Sequence, residues 1–210
     1  MENASLVALS RQLVLRRKLD VIADNVANIT TDGFKRQSLN FEEFAMPKAR
    51  ANTFERPDRI NAFVSDWTTT TDFSTGSIEQ TGNPLDVALG GDGFFAVQTP
   101  EGERYTRAGS FQIDQTGRLV TSDGLPVLGE AGEILFEADE TGIEIGANGS
   151  VATTAGIKDR LKIVSFDDNR LLEKIGDNLY DPTTAAAQPA PACGCCRDRW
   201  SVRTSPASRK

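Results

Sequence analysis

Three cysteines fall within four residues, at Cys193, Cys195 and Cys196, and the 210-residue chain has no other. Cys193-Gly-Cys-Cys196 has the C-x-x-C spacing of redox and zinc sites. The redox form sets its first thiol at the start of a helix after a strand, where the helix dipole lowers the thiol pKa. Here the motif follows a Pro/Ala-rich stretch, Thr184 to Ala192 (TAAAQPAPA). Zinc takes about four ligands, and three thiols in a chain without histidine leave that set short. Adjacent Cys195 and Cys196 also suit a disulfide poorly. The missing histidine further removes the usual general base and proton shuttle.

The remaining candidates are weaker. Gly90-Gly91-Asp92-Gly93 resembles a phosphate-binding loop but lacks the Gly-Lys-Ser/Thr ending, and Phe94-Phe95-Ala-Val97 after it reads as a strand. Without a helix N-terminus the anion has no aligned amides to meet, so a tight hairpin is expected. Asp114-Gln-Thr-Gly117 and Asp139-Glu-Thr-Gly142 look like fragments of calcium loops. Neither supplies alternating oxygens followed by a bidentate acid, so both read as Asx-type turns. Asp167 and Asp168 read as a solvated pair at a turn. No nucleophile has a recognisable base, so no catalytic residue, cofactor or metal is expected and the chain reads as a non-enzyme. A thiol metal or redox protein is the alternative, resting on the cysteine cluster alone.

The elements that would position any site begin with a long helix. Leu6, Leu9 and Leu13 recur at a spacing of three to four, and Leu15, Leu19, Ile22, Val26 and Ile29 do so about two positions out of phase. The result is an apolar face wider than a two-stranded seam, favouring a helix that packs against several others. Asn3 is the expected N-cap. The run ends in Asn25-Val-Ala-Asn28-Ile-Thr-Thr31-Asp-Gly33-Phe34-Lys35, where Asn, Thr and Asp compete with the helix and Gly33 suits a left-handed turn. Residues 36–59 lack periodicity and read as an extended connector. Fourteen of the eighteen glycines then lie between Gly76 and Gly149, punctuating short β-prone runs. That pattern predicts an antiparallel β domain over 60–182, a sandwich or folded barrel, and 183–210 as linker and disordered tail. The fold class is therefore α+β, mainly β.

Charge narrows the partners. The formal net charge of −7 is the balance of −11 over the first 192 residues against +4 over the last 18. An acidic body argues against nucleic acid as the main partner. No apolar run approaches the roughly 20 residues that span a bilayer, so no membrane insertion is expected. Arg11, Arg16, Arg17 and Lys18 interrupt the N-terminal apolar positions, so no cleaved leader is read there either.

Three stretches carry a resemblance. They are Ala8-Leu-Ser-Arg-Gln-Leu-Val-Leu-Arg-Arg-Lys-Leu-Asp20 with the Asn25–Lys35 signature; Gly82-Asn83-Pro84-Leu85-Asp86-Val-Ala88 with Gly91-x-Gly93-Phe94-Phe95; and Tyr105-Thr-Arg-x-Gly109-x-Phe111 with its continuation to Gly129. Over residues 1 to about 190 the chain resembles the flagellar rod and hook (axial) proteins, nearest the proximal-rod members, with distal-rod or hook subunits as the alternative within the family.

The resemblance implies a structural subunit of the basal-body rod, a helical tube transmitting torque across the periplasm. Its partners would be further copies, other rod subunits and the flagellar type III export apparatus, which needs no cleaved signal peptide. Leu6, Leu9, Leu13, Leu19, Ile22 and Val26 would lie on an assembly helix. Asn25, Asn28, Thr31, Gly33, Phe34 and Lys35 would shape the turn between helical and β layers, and Gly82 to Asp86 with Gly93, Phe94 and Phe95 would open the β domain. The family's final helix is missing. Read one frame over, Cys195 to Lys210 admits Leu-Leu-Gln-Gly-Ser-Val-Glu-Arg-Ser-Asn-Val, the order of the family segment leading into that helix. A frame-shifted tail is therefore expected. It would deprive the N-terminal helix of its intramolecular partner and leave it mobile.

Overall fold

A computed structural model describes residues 2–45, 62–79, 81–176, 178–182, 188–189, 195–196 and 202–203. The chain divides into two units, one of residues 1–28 with 36–72 and the other of 29–35 with 73–210.

The first unit holds α1 (Glu2–Ala27) and the strands β1 (Gln37–Ala45) and β2 (Ala62–Thr71). Asn3, expected as the N-cap, lies inside α1, which begins one residue earlier. The last helical bond runs from Asn28 N to Asp24 O at 3.1 Å. β1 and β2 pair antiparallel from Gln37↔Thr71 to Ala45↔Ala62, with a register shift at Asn40/Phe41. Residues 37–45, read as connector, are thus a strand. Polar Asn40, Glu42 and Glu43 obscured its alternation, and the partner strand compensates for weak local propensity. Residues 46–59 of that connector lie outside the described residues.

α1 packs on both strands of this hairpin. Its half-buried residues are Ser10, Val14, Val21, Asn25 and Asn28. At about 100° per residue these fall within roughly 60° of one another. Leu15, Leu19, Ile22 and Val26 centre on the opposite side, and Leu9 and Leu13 lie on a flank. All six are exposed.

In the second unit short strands follow in chain order, most of them on the β-prone runs of the sequence. They are β3 (Ser77–Ile78), β4 (Ala88–Leu89), β5 (Gly93–Thr99), β6 (Gly102–Thr106), β7 (Phe111–Ile113), β8 (Leu119–Thr121), β9 (Glu144–Ile145), β10 (Ser150–Thr153), β11 (Gly156–Arg160), β12 (Ile163–Ser165), β13 (Glu173–Gly176) and β14 (Leu179–Asp181). Two-residue pairings complete the set: β15 (Gln188–Pro189), β16 (Cys195–Cys196) and β17 (Val202–Arg203). The central sheet runs β13-β14-β6-β5-β12-β15, and every registered pair is antiparallel. No closed barrel forms among the described residues.

β5 organises both sides of this sheet because its side chains alternate and both faces are covered. Phe95 and Val97 enter a cluster with Phe111, Leu119, Val127 and Leu161. Phe94 and Ala96 enter a second with Tyr105, Val164, Phe166 and Tyr180. Phe94 meets Phe166 and Tyr180 edge-on at 5.6 and 5.7 Å between centroids, a favoured aromatic geometry.

Candidate functional site

The signature after α1 is the one place where the chain passes between its two units and back within a few residues. It leaves the first at Asn28, gives residues 29–35 to the second, and returns at Arg36.

On the helix side, Asn25 ties α1 to β1. Its Nδ2 donates to the Gln37 carbonyl at 2.8 Å, and its Oδ1 accepts from the Gln37 amide at 3.0 Å. The side-chain amide thus mimics a strand partner, which only Asn or Gln can do. Asn28 Nδ2 donates to the Asp24 carbonyl at 2.9 Å and to its carboxylate at 3.0 Å, closing the last helical turn.

On the β side, Gly33, Phe34 and Lys35 are buried. Gly33 has φ +71°, and a Cβ built there would fall on the backbone of Arg107 and Ala108, 2.5 Å from the Ala108 nitrogen. Left-handed backbone and missing space both demand glycine. Phe34 is 2% exposed and lies beneath the Lys174 ammonium, 4.4 Å from its ring centroid. Its amide donates to Thr31 O at 3.4 Å, closing the turn.

Lys35 is also 2% exposed, and its Nζ donates to the Ser74 carbonyl at 2.7 Å. A charged terminus so placed is stabilised by the carbonyl, as burial of an ammonium requires. A small surface depression is lined by Gly33, Lys35, Thr75, Leu89 and Arg107. Asn178 Nδ2 reaches Asp32 O at 3.4 Å. Sequence reading missed Lys174, Ser74 and Asn178, whose contacts lie 39 to 146 positions from the turn. The one local signal was an Asn in a hairpin loop, the residue type that tolerates positive φ.

The second signature builds the entrance to the β body. Gly82 has φ +76°, and Asn83 Nδ2 donates to the Asp86 carboxylate at 2.8 Å. Pro84 is exposed and Leu85 is half-buried against the first cluster. Asp86 bridges Ser110, and the Val87 amide donates to Gly109 O at 2.8 Å. Gly109 packs so closely that a Cβ would overlap the Val87 carbonyl. Gly93 is buried, and Phe94 and Phe95 are fully enclosed on opposite faces of β5. Thr31, Gly33, Phe34 and Lys35 of the turn thus share one unit with the β-body residues, while Asn25 and Asn28 belong to the other. Of the helix set, Leu9, Leu13, Leu19, Ile22 and Val26 stand exposed elsewhere, and the Leu6 side chain lies outside the described residues.

The sequence's chemical candidates resolve into turns. The Asp114 carboxylate accepts from the Gln115 amide and from Thr116 Oγ1, and its carbonyl accepts from the Gly117 amide at 2.9 Å, closing a tight turn. Glu140, in the second calcium-like stretch, is held by Lys158 Nζ at 2.9 Å, which lowers its carboxyl pKa. Asp168 caps a single 3-10 turn through the Arg170 amide, and Asp167 accepts from Gln188. Gly91 O accepts from Arg107 at 2.6 Å at the entry to β5. Of the cysteine cluster, only the backbone pairing of Cys195–Cys196 with β4 is described. Among the described residues no group of three His, Cys, Asp or Glu is placed to hold a metal, and no helix is long and apolar enough to cross a membrane.

Comparison with known proteins finds two family models along the chain. Residues 6–35 match a family model described as flagella basal body rod protein, and residues 88–153 match the flagellar hook protein FlgE/F/G D1 domain. A flagellar basal-body rod protein FlgF of Caulobacter vibrioides is 41% identical over 192 residues, covering 90% of this chain and 77% of the relative. The Bacillus subtilis rod protein FlgG is 36% identical over 84% of this chain and 74% of its own length. A FlgF of Rhizobium meliloti is 35% identical over 96% and 78%.

Proposed function

Because the chain belongs to the flagellar basal-body rod protein family, we propose that it builds the proximal part of the rod by docking the exposed leucine face of α1 onto helices of neighbouring subunits. Its role is structural, as a subunit of the flagellar basal-body rod. The finer assignment follows the 41% identity to a FlgF, against 36% to a FlgG. The distal rod is the second reading.

One observation carries the docking mechanism. Leu19, on the side of α1 turned away from β1 and β2, and Leu13, on its flank, are 66% and 60% exposed, while the face carrying Val14, Val21 and Asn25 lies half-buried in a unit formed with those strands. Burying a side chain of this size contributes about 1.5–3 kcal/mol relative to leaving it in water. Several such residues on one helix supply a strong drive for association. Residues 29–35, which follow that helix in the chain, are seated in the β unit. Placement in the periplasmic section of the rod and export by the flagellum's own apparatus belong to the same reading.

The test is a double substitution, Leu13→Asp with Leu19→Asp, expressed in place of the native chain. The variant is expected to be absent from purified basal bodies while hydrogen exchange in β5 and β6 is unchanged. Normal incorporation of the double variant would overturn the docking mechanism.

A further inference from the structure

We propose that the β13–β14 hairpin is a clasp, with Lys174 and Asn178 as positioning residues that hold the signature turn on the β body. Its consequence for rod assembly rests on the reading above, but the clasp itself does not.

The hairpin lies at the margin of the central sheet, where among the described residues β13 pairs only with β14. Its register shifts between Lys174 and Gly176, and Gly176 has φ +117°. Such an edge, short and polar, belongs to the part of a sheet that opens most easily. Yet two of its residues reach across to the turn. Lys174 places its ammonium over the Phe34 ring, where the ring quadrupole attracts a cation. Asn178 donates from Nδ2 to the Asp32 carbonyl, across 146 positions of sequence.

Asn178 is the more telling of the two. Its φ of +56° is the only positive value at a non-glycine among the described residues. Glycine meets that backbone requirement at lower cost. Conformation alone therefore does not account for an amide side chain buried to 7% exposure. The contact with Asp32 does. The backbone of Asn178 is meanwhile anchored from the body side, since its carbonyl accepts from Thr106 Oγ1 at 3.0 Å, and the same hydroxyl accepts from the Ala108 amide at 3.1 Å. Ala108 is the residue against which Gly33 packs. Hydrogen bonds thus link the hairpin loop to Asp32 and, through Thr106, to Ala108, on which Gly33 packs. Residues 31–35 contribute to neither apolar cluster of the body. Their docking is a local equilibrium that the clasp sets, separate from folding of the body.

Hydrogen–deuterium exchange on the full chain tests this. Asn178→Gly keeps the left-handed backbone and removes the amide; Lys174→Met keeps the stem and removes the cation. Each is expected to speed exchange of a peptide spanning 29–36 by about fivefold, the equivalent of one ordinary contact, with β5 exchange unchanged. Lys158→Met, which severs the ion pair to Glu140, is expected to leave 29–36 unaffected. Unchanged exchange at 29–36 in both single variants and their double would overturn the proposal. So would an equal rise in 29–36 and β5, because the hairpin would then contribute only general stability. Motility is scored alongside. A loosened turn with normal swimming would leave the clasp standing and overturn the assembly role of the turn.

Discussion

Gly33→Val separates the turn from the body it is seated on. Valine at φ +71° costs about 1–2 kcal/mol for the left-handed backbone alone. Its Cβ would also stand 2.5 Å from the Ala108 nitrogen, where ordinary contact begins near 3.4 Å. Relief requires a shift of about 1 Å, which a close-packed interior does not give without rearrangement. Undocking the turn forfeits burial of Phe34, about 1.5–3 kcal/mol. It also forfeits the charged hydrogen bond from Lys35 to Ser74, about 1.5–3 kcal/mol. Those losses are bounded, whereas overlap with backbone is not, so the variant is expected to undock residues 31–35 and keep its β body. Trypsin reads this directly, since the Lys35 side chain is 2% exposed in the docked turn. Cleavage after Lys35 is expected to accelerate in the variant while fragments spanning β5 to β14 stay resistant. Gly33→Asn adds a discriminating arm, because asparagine tolerates positive φ but still carries a Cβ. It is expected to release the turn much as Gly33→Ala does. Trypsin resistance at Lys35 in Gly33→Val, together with normal motility, would refute the reasoning.

Two further outcomes follow from other contacts. Burial, followed by the Glu103 carboxylate, pushes the Tyr105 phenol up to about 12, and burial raises Tyr180 as well. A phenol raised in the folded state contributes stability that is full below pH 10 and falls between about 10 and 12. These are the chain's only two tyrosines, so phenolate absorbance is expected to appear with unfolding above pH 10; a folded-state midpoint near 10 would contradict it. Asn25→Asp replaces the donor to the Gln37 carbonyl with a carboxylate oxygen. The helix–hairpin unit is expected to lose about 1–3 kcal/mol, read as a lower melting midpoint of helical ellipticity, and an unchanged melt would show that the Asn25–Gln37 pair holds nothing.

How much of this was legible in sequence depended on whether the cause was local. The leucine spacing of α1 and the glycine-punctuated strands follow from periodicity and turn chemistry, which act over a few residues. Phe94-Phe95-Ala-Val97 read as a strand, but its burial on both faces, with the adjacent aromatics on opposite sides, emerged only in the fold. β11 and β13 were missed because edge strands need no apolar alternation; Ile157 in β11 is 77% exposed. β1 was missed because its pairing is set by β2, a strand beyond the reach of local sequence pattern, from Gln37↔Thr71 to Ala45↔Ala62. At the candidate site, Gly33 was legible as a left-handed turn, but the burial of Lys35 was not. A lysine closing a polar motif reads as solvated until Ser74, 39 positions on, supplies its carbonyl. Asn178 was hidden for the same reason.

The central claim is that the exposed leucine face of α1 is a subunit–subunit surface of the rod. A photo-activatable cross-linking residue placed at Leu19 in flagellated cells tests it most directly. The account predicts covalent adducts to rod subunits, this chain among them, that disappear when Leu13→Asp is added. Adducts absent at Leu19 in cells with complete basal bodies containing the labelled chain would contradict it.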